Sequence, residues 1–246
     1  MGAVAVAQVC LMVVHFALRS GLFGDLSQSH VQLRGPQYER SFWGDMVHHF
    51  SNPGAFILML PYLCLTWMLR LMPESYYDYD SPVNWGNVLL QLLSVDLLTY
   101  TNHIVEHSFS SLYKVSHKPH HRFVSPHFFN AFDGSLADTV GLILLPLFAT
   151  AQVLHVSNWD YIAFGTVYST HFMLIHSEFV LPWDSLLEFL YINTTEDHHV
   201  HHAMFTCNFG HFFTIYDHLG GTYRHGSTCP GFRSCHARKL GAPKQL

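Results

Sequence analysis

Charged residues are scarce in this chain of 246 residues. Asp, Glu, Lys and Arg together make up 12% of it, about half of the roughly 25% that is usual in a soluble globular protein. Only 12 residues are Lys or Arg, and the formal net charge is -5. Because nucleic-acid binding needs a dense basic face to neutralise phosphates, the composition excludes nucleic acid as a partner. Hydrophobic residues reach 49%, which also excludes a disordered chain.

Cysteine is sparse as well. The chain has five cysteines, an odd number without the paired spacing of a disulfide-stabilised secreted domain. We therefore expect free thiols, and with them a reducing compartment or a membrane. Histidine is the exception to this scarcity, because the chain contains 21 of them.

Several apolar segments are long enough to be bilayer elements, which need about 20 residues each. They lie at residues 3–18, 53–72, 85–100, 139–154 and 159–175. The first lacks a basic leader and a cleavage site, so a retained anchor is expected rather than a signal peptide. The last two are joined by a short turn and predict a membrane hairpin. We predict an all-α integral membrane bundle of about four to five membrane segments, with a cytosolic helical cap.

The distribution of basic residues predicts the orientation. No Lys or Arg lies between Arg122 and Arg224, and the basic residues on either side of this stretch are expected to be cytosolic by the positive-inside rule. The expected organisation is a set of membrane anchor segments with a surface loop over 1–84, a catalytic domain over 85–223 and a C-terminal tail over 224–246.

Three clusters account for eight of the histidines. Within each cluster the main spacing is three or four residues, which puts the rings on one face of a helix. The clusters are His103 and His107, then His117, His120 and His121, and finally His198, His201 and His202.

This pattern indicates metal ligands. Imidazole is a neutral ligand that suits iron, zinc, copper and nickel, and eight rings exceed the three or four that one catalytic zinc ion uses. Two metal ions are therefore expected. Nitrogen ligands beside apolar helices favour redox-active iron over magnesium or calcium, which prefer oxygen ligands. The sequence thus predicts two iron ions that handle dioxygen, with zinc or another transition metal as an expected substitute in isolated protein.

The order H-x3-H, H-x2-HH and H-x2-HH resembles the fatty acid hydroxylase and sterol desaturase superfamily of membrane di-iron enzymes. The resemblance spans residues 96–223 and includes the segments IHSE at 175–178, NFG at 208–210 and YDHLGGTY at 216–223. Only nine residues separate His107 from His117, which favours this branch over the acyl-CoA and acyl-lipid desaturases. The resemblance implies that the eight clustered histidines are metal ligands and that His176 is a ninth.

Several other polar residues each allow two roles. His171 precedes His176 by five residues, about 140° away on a helix, so whether it joins the ligands stays open. Five acidic residues are candidates either for orienting ligand histidines or for ordinary capping and solvation. They are Asp96, Glu106, Glu178, Glu196 and Asp217.

The resemblance implies an O2-dependent oxidoreductase that hydroxylates or desaturates a membrane lipid, either a sterol or a long-chain acyl or alkyl lipid. Because no His-Pro-Gly-Gly motif of a fused cytochrome b5 is present, it implies a separate electron donor such as cytochrome b5 and its reductase. The expected location in a eukaryote is the endoplasmic reticulum membrane, with the three histidine clusters facing the cytosol. Two alternatives remain: an inactive membrane scaffold of the same fold, and a histidine-rich metal transporter.

Overall fold

The regular structure is helical throughout the part of the chain that the computed structural model describes, residues 2–20, 22, 30–32, 42–51 and 59–232. This confirms the predicted all-α class. In chain order the α-helices are α1 (Gly2–Arg19), α2 (Phe42–Ser51), α3 (Met59–Met68), α4 (Trp85–Ser108), α5 (Ser110–Val115), α6 (Leu136–Asp138), α7 (Leu145–Val153), α8 (Asn158–Leu174), α9 (Asp184–Phe189), α10 (Thr195–Met204) and α11 (Ile215–Gly220).

The longest helix, α4, begins at a side-chain cap. The side chain of Asn84 accepts hydrogen bonds from the backbone N–H groups of Gly86 and Asn87. Asp160, near the start of α8, accepts from the backbone N–H of Asn84 at 2.6 Å and from the Asn87 side chain at 2.7 Å. These bonds tie the first turns of α4 and α8 together. The helix extends beyond the predicted apolar segment 85–100 to Ser108, and so includes the first histidine cluster.

Two stretches are long and apolar enough to cross a membrane, judged by length and composition: Trp85–Ser108 and Leu136–Val153. The second consists of α6, a π-helix over Thr139–Leu144 and α7. Short π-helical segments are rare and frequently lie at functional sites. The larger number of membrane segments stays a prediction; within the segment 53–72, residues 53–58 fall outside the described ranges.

Helix α8 packs against both α1 and α4. Large aromatic side chains fill these interfaces: Phe164 joins a cluster with Val88 and Leu92 of α4, while Phe172 joins a cluster with Leu18 of α1. Full burial of such a side chain stabilises the fold by roughly 1.5–3 kcal/mol. This packing fixes the position of α8 against α4, and with it the position of His176, just after α8, relative to His103 and His107 of α4.

Helix α10 carries the third histidine cluster and has a well-defined start. The Thr194 side chain accepts from the backbone N–H of Asp197, and the Asp197 side chain accepts from the backbone N–H of Thr194, which is a capping box. The helix ends at Met204, where Phe205 takes a left-handed φ of 64°. Within α10, residues 195–202 are all buried, so the cluster lies inside the protein.

Candidate metal centre

Nine histidines converge into two groups of candidate ligands. Within each group the ligand atoms lie within 4.8 Å of one another. One group consists of His103, His107, His117, His121 and His201, and the other of His120, His176, His198 and His202. The structure therefore brings together all nine histidines that were singled out from the sequence.

The second histidine cluster does not lie on an α-helix. His117 stands in a turn after α5, and a 3₁₀-helix over His120–Arg122 follows. Pro119 immediately precedes this 3₁₀-helix; it has no N–H to donate, so an α-helix cannot run through it undisturbed. As a result the cluster divides: His117 and His121 join the group of five and His120 joins the group of four.

Four of the nine rings form a hydrogen bond from Nδ1 to an oxygen acceptor. Such a bond places the proton on Nδ1 and leaves the lone pair of a neutral ring on Nε2. The pairs are His103 with the Phe209 carbonyl at 2.8 Å, His117 with the Asp138 carboxylate at 2.6 Å, His176 with the Phe172 carbonyl at 2.7 Å, and His201 with the Cys207 carbonyl at 2.8 Å.

His103 and His117 show the consequence of this arrangement. Their Nε2 atoms are 2.8 Å apart, although both rings already donate through Nδ1. In neutral rings both Nε2 atoms present lone pairs, which repel each other at this distance unless a cation lies beside both. Nitrogen ligands about 2.1 Å from one ion stand roughly 3.0–3.4 Å apart in octahedral or tetrahedral geometry. The spacing therefore fits a transition-metal ion.

The same spacing recurs between other rings of each group. In the group of five, the Nε2 atoms of His121 and His201 are 3.0 Å apart. In the group of four, Nε2 of His198 lies 2.9 Å from that of His176 and 3.1 Å from that of His202. Both groups thus have the donor set and the spacing of a metal site.

Burial favours the neutral form of several of these rings. It lowers the pKa of His120 to about 4, and it lowers the pKa values of His198, His201 and His202 well below their ordinary range. Neutral imidazole is the form that binds metal ions. Near neutral pH these four rings are therefore ready to bind metal without first releasing protons.

Asp138 belongs to the surroundings of the centre and was not found from the sequence. Its carboxylate accepts from Nδ1 of His117 at 2.6 Å, and the Glu106 carboxylate lies 3.6 Å from the same nitrogen. Glu106, His117 and Asp138 form a third set of candidate ligand atoms within 4.8 Å of one another. No local motif marks Asp138, because it stands alone just before an apolar run.

His211 is a second residue that the sequence did not reveal. Its ring centroid lies 5.0 Å from that of His103, in one group, and 5.8 Å from that of His198, in the other. The ring is buried and its Nδ1 has no hydrogen-bond partner. As a lone histidine after the NFG segment, it has no ligand spacing to distinguish it.

Two of the acidic candidates act on the chain segment that contains His211. Asp96 accepts backbone hydrogen bonds from His211, Phe212 and Phe213 at 2.8–3.1 Å. Asp217 accepts from the backbone N–H groups of residues 209 and 210, both at 2.8 Å. They support the His103 ring indirectly, because the carbonyl of residue 209 in this segment accepts from its Nδ1.

His171 and His199 lie outside both groups of ligand atoms. The His171 ring packs against Phe212, with 4.6 Å between centroids. Nδ1 of His199 lies 3.3 Å from Nε2 of Gln32. Both rings are buried.

An apolar cavity of about 410 Å³ lies beside the centre. Its walls include Leu63 and Trp67 of α3, Leu147 of α7 and Phe172 of α8. The Phe172 ring also contacts the rings of His176 and His211, at centroid distances of 5.1 and 5.0 Å. One aromatic side chain thus borders both the cavity and the histidine centre.

The sequence is similar to those of known proteins. A family model described as fatty acid hydroxylase matches residues 88–222. An alternative squalene epoxidase from Phaeodactylum tricornutum is 43% identical over 224 residues, which cover 90% of this chain and 64% of that protein. A lathosterol oxidase from Rattus norvegicus is 30% identical over 173 residues, covering 66% of this chain and 55% of that protein. A Delta(7)-sterol 5(6)-desaturase from Candida albicans is 33% identical over 119 residues, covering 46% and 28%.

The chain spans 64% or less of the length of these three relatives, and no solved structure matches it. The family model covers more than half of the chain and includes the clusters at 103–107, 117–121 and 198–202. This confirms the resemblance that the histidine spacing indicated. The protein belongs to the fatty acid hydroxylase family.

Proposed function

We propose that this protein is a membrane-bound, O2-dependent lipid oxidoreductase that holds two iron ions through nine histidines. The observation that carries the proposal is the approach of His103 Nε2 to His117 Nε2 at 2.8 Å, with both rings donating through Nδ1. Iron is preferred to zinc because zinc has no redox chemistry. When bound, iron supplies the oxidising reactivity that side chains lack.

The chain's own residues would bind the two ions and orient the histidine rings. The group of five histidines would hold one ion and the group of four the other. Asp138 and the Phe209 carbonyl would keep the rings of His117 and His103 in the metal-binding tautomer. The apolar cavity walls would bring a hydrocarbon to the centre and exclude water from it.

Squalene is the first candidate substrate, and its epoxidation the first candidate reaction. The epoxidase relative covers 90% of this chain at 43% identity, whereas the lathosterol oxidase covers 66% at 30%. Epoxidation is therefore a third candidate type of reaction, beside the hydroxylation and desaturation that we expected from the three histidine clusters. It consumes an alkene, O2, two electrons and two protons, and yields an epoxide and water. The electrons would come from a separate donor such as cytochrome b5 and its reductase.

Sterol desaturation is the second candidate, because two relatives are named for oxidation of lathosterol and of a Delta(7)-sterol. For either substrate we place the protein in the endoplasmic reticulum membrane of a eukaryotic cell. The segments Trp85–Ser108 and Leu136–Val153 would cross the bilayer. The histidine groups would face the cytosol, within reach of the electron donor.

The test combines metal analysis with turnover on detergent-purified full-length protein. We expect two irons per chain in the wild type and loss of iron in the double variant His120→Ala with His201→Ala. An exposed histidine, His155, provides the matched control His155→Ala. With squalene, a reductant and isotopically labelled O2, the labelled oxygen atom should appear in an epoxide.

Other outcomes would assign the protein to another class. Protein that carries no transition metal after production with ample iron would support the inactive scaffold. Iron uptake into sealed vesicles that contain the protein, without oxidation of any lipid, would support the metal transporter. Conversion of a sterol to a product with an added double bond, with squalene unchanged, would support the second candidate.

A further inference from the structure

We propose that His211 is the hydrogen-bond donor of a binding site for one small anionic ligand, at the boundary between the two histidine groups. The inference rests on the proposed function only for the presence of metal ions in these groups. It adds a residue that belongs to neither group and the chemical class of the molecule that this residue binds.

His211 lies where the two histidine groups meet. The ring of His201, in the group of five, is 5.8 Å from the ring of His198, in the group of four, measured between centroids. The His211 ring contacts both groups, at 5.0 Å from the ring of His103 and 5.8 Å from that of His198. It therefore lies beside both ion positions, although it is a member of neither group.

The side chain of His211 has a polar atom without a partner. The residue is 4% exposed, and its Nδ1 has no hydrogen-bond partner. Nδ1 of His103 and Nδ1 of His201, by contrast, each donate to a backbone carbonyl at 2.8 Å. Most buried polar atoms are hydrogen-bonded, because leaving one unbound costs free energy. The unpartnered nitrogen of His211 thus calls for a group that the chain itself does not supply.

The histidine rings that His211 contacts offer no acceptor once ions are bound. Nε2 of His103 faces Nε2 of His117 at 2.8 Å, and Nε2 of His198 faces that of His176 at 2.9 Å. An ion beside each pair takes up these lone pairs. A neutral imidazole carries one N–H and one lone pair, so the N–H of His211 is available to a ligand that enters with the ions.

The backbone holds His211 in place. The buried carboxylate of Asp96 accepts from the backbone N–H of His211 at 3.1 Å and from those of Phe212 and Phe213 at 2.8 Å each. Phe212 and Phe213 also pack into the apolar cluster that includes Val88 of α4. A donor on a fixed backbone is in position before its ligand arrives, which favours binding because little has to be ordered.

The ligand that fits this environment is small and negatively charged. Metal ions held by neutral imidazoles leave a net positive charge, which favours an anion, and N–H groups form stronger hydrogen bonds to charged acceptors. The spacing of 5.8 Å between the rings of His198 and His201 limits the ligand to a few atoms. Dioxygen enters this class when it gains electrons and negative charge. Azide is a stable member of the class that can be titrated.

Azide titration of cobalt-loaded, full-length protein in detergent measures this site without iron or turnover. The visible absorption of cobalt(II) changes when an anion binds to the ion. We expect His211→Ala to keep the wild-type cobalt content and to weaken azide binding about tenfold. His211→Gln supplies an N–H again and should restore most of the affinity. The matched control is His171→Ala, at another buried histidine outside both groups, and it should bind azide as the wild type does.

A second variant and a second readout separate hydrogen bonding from a structural role. His211→Phe removes the N–H but keeps a ring in the same space, and it replaces His211→Ala if circular dichroism and gel filtration show that the alanine variant fails to fold. The infrared stretch of bound azide shifts when a hydrogen bond to azide is lost. It should therefore shift in His211→Ala and His211→Phe and return towards the wild-type frequency in His211→Gln.

Three results would overturn the proposal. The first is equal azide affinity and an unchanged azide stretch in the wild type and in His211→Ala. The second is loss of cobalt from His211→Ala, because His211 would then be a ligand of an ion. The third is equal weakening in His171→Ala, because removal of any buried histidine near the centre would then have the same effect.

The outcome is separate from that of the proposed function. Azide binding that depends on His211 in the cobalt protein, without oxidation of any lipid by the iron-loaded protein, would leave the inference standing and remove the oxygenase. Lipid oxidation together with unchanged azide binding in His211→Ala would do the reverse. Protein that binds neither iron nor cobalt would remove both.

Discussion

Nδ1 of His117 donates to the carboxylate of Asp138 at 2.6 Å, across 21 residues of sequence. The other nitrogen of the same ring faces Nε2 of His103 at 2.8 Å. A carboxylate in this position fixes the tautomer of a metal-binding imidazole and raises its basicity. Asp138 ends α6 and directly precedes the π-helix over Thr139–Leu144. The unusual helix geometry and the carboxylate that orients His117 therefore occur at one point of the chain.

We predict that Asp138→Asn weakens metal binding by about 10–100-fold, the usual effect of losing such a partner. The amide keeps the size of the side chain but removes the charge that holds the Nδ1 proton. Competition with a chelator of known affinity measures the change. Asp80→Asn, at an exposed aspartate, is the control and should leave the affinity unchanged. Wild-type affinity in Asp138→Asn would refute the positioning role.

The two ligand groups predict which histidines are needed for metal. His176 lies in the group of four, whereas His171 and His211 lie in neither. We expect His176→Ala to lose about one ion per chain, and His171→Ala and His211→Ala to keep both. Elemental analysis of purified protein measures this. Loss of an ion in His171→Ala or His211→Ala would add that residue to the ligands.

Acid should destabilise the metal-free protein. Burial lowers the pKa of His120 to about 4 and that of His211 to about 3, from an ordinary value of 6.5. Below pH 6.5 the unfolded chain binds protons that the folded chain does not, so the free energy of unfolding falls as the pH drops towards 4. The slope approaches about 1.4 kcal/mol per pH unit for each such histidine. Above pH 6.5 both histidines are neutral in the folded and in the unfolded chain, so they no longer change the free energy of unfolding as the pH rises.

Thermal unfolding of metal-free protein between pH 4 and pH 8, followed by circular dichroism in detergent, checks this expectation. The midpoint should rise with pH through the acidic half of the range and then level off. A midpoint that stays constant from pH 4 to pH 7 would show that these histidines are accessible to protons in the folded state.

We expect Asp96 to hold in place the chain segment whose carbonyl at residue 209 accepts from His103. Its carboxylate accepts three backbone hydrogen bonds from residues 211–213. Removing a partner from a buried donor costs about 1–3 kcal/mol, so Asp96→Ala should loosen this segment and weaken metal binding. Hydrogen exchange of the amides at 211–213 should become faster. Unchanged exchange at these amides would show that other contacts hold the segment.

The sequence predicted the parts of the centre in which ligand spacing and helix period coincide. His103 and His107 lie one turn apart on α4, and His198 and His202 one turn apart on α10. The cluster at 117–121 has the same spacing, yet Pro119 places it in a turn and a 3₁₀-helix. Its membership of the centre was predictable, but its division between the two groups was not.

Asp138 and His211 could not be predicted, because tertiary packing alone brings them to the centre. Asp138 reaches His117 only when the helical stretch that begins at α6 folds back against α4. His211 depends on the hydrogen bonds that Asp96 makes to a chain segment 115 residues away. Neither residue belongs to a local sequence pattern, so residue spacing alone identifies neither of them as part of the centre.

X-ray absorption at the iron edge, together with elemental analysis of the purified full-length protein, tests whether the histidines hold two irons. We expect two irons per chain with a coordination environment dominated by imidazole nitrogen at about 2.0–2.2 Å, and loss of this signal in the double variant His103→Ala with His198→Ala. Protein produced with ample iron that shows no bound transition metal, or iron without imidazole ligands, would contradict this expectation.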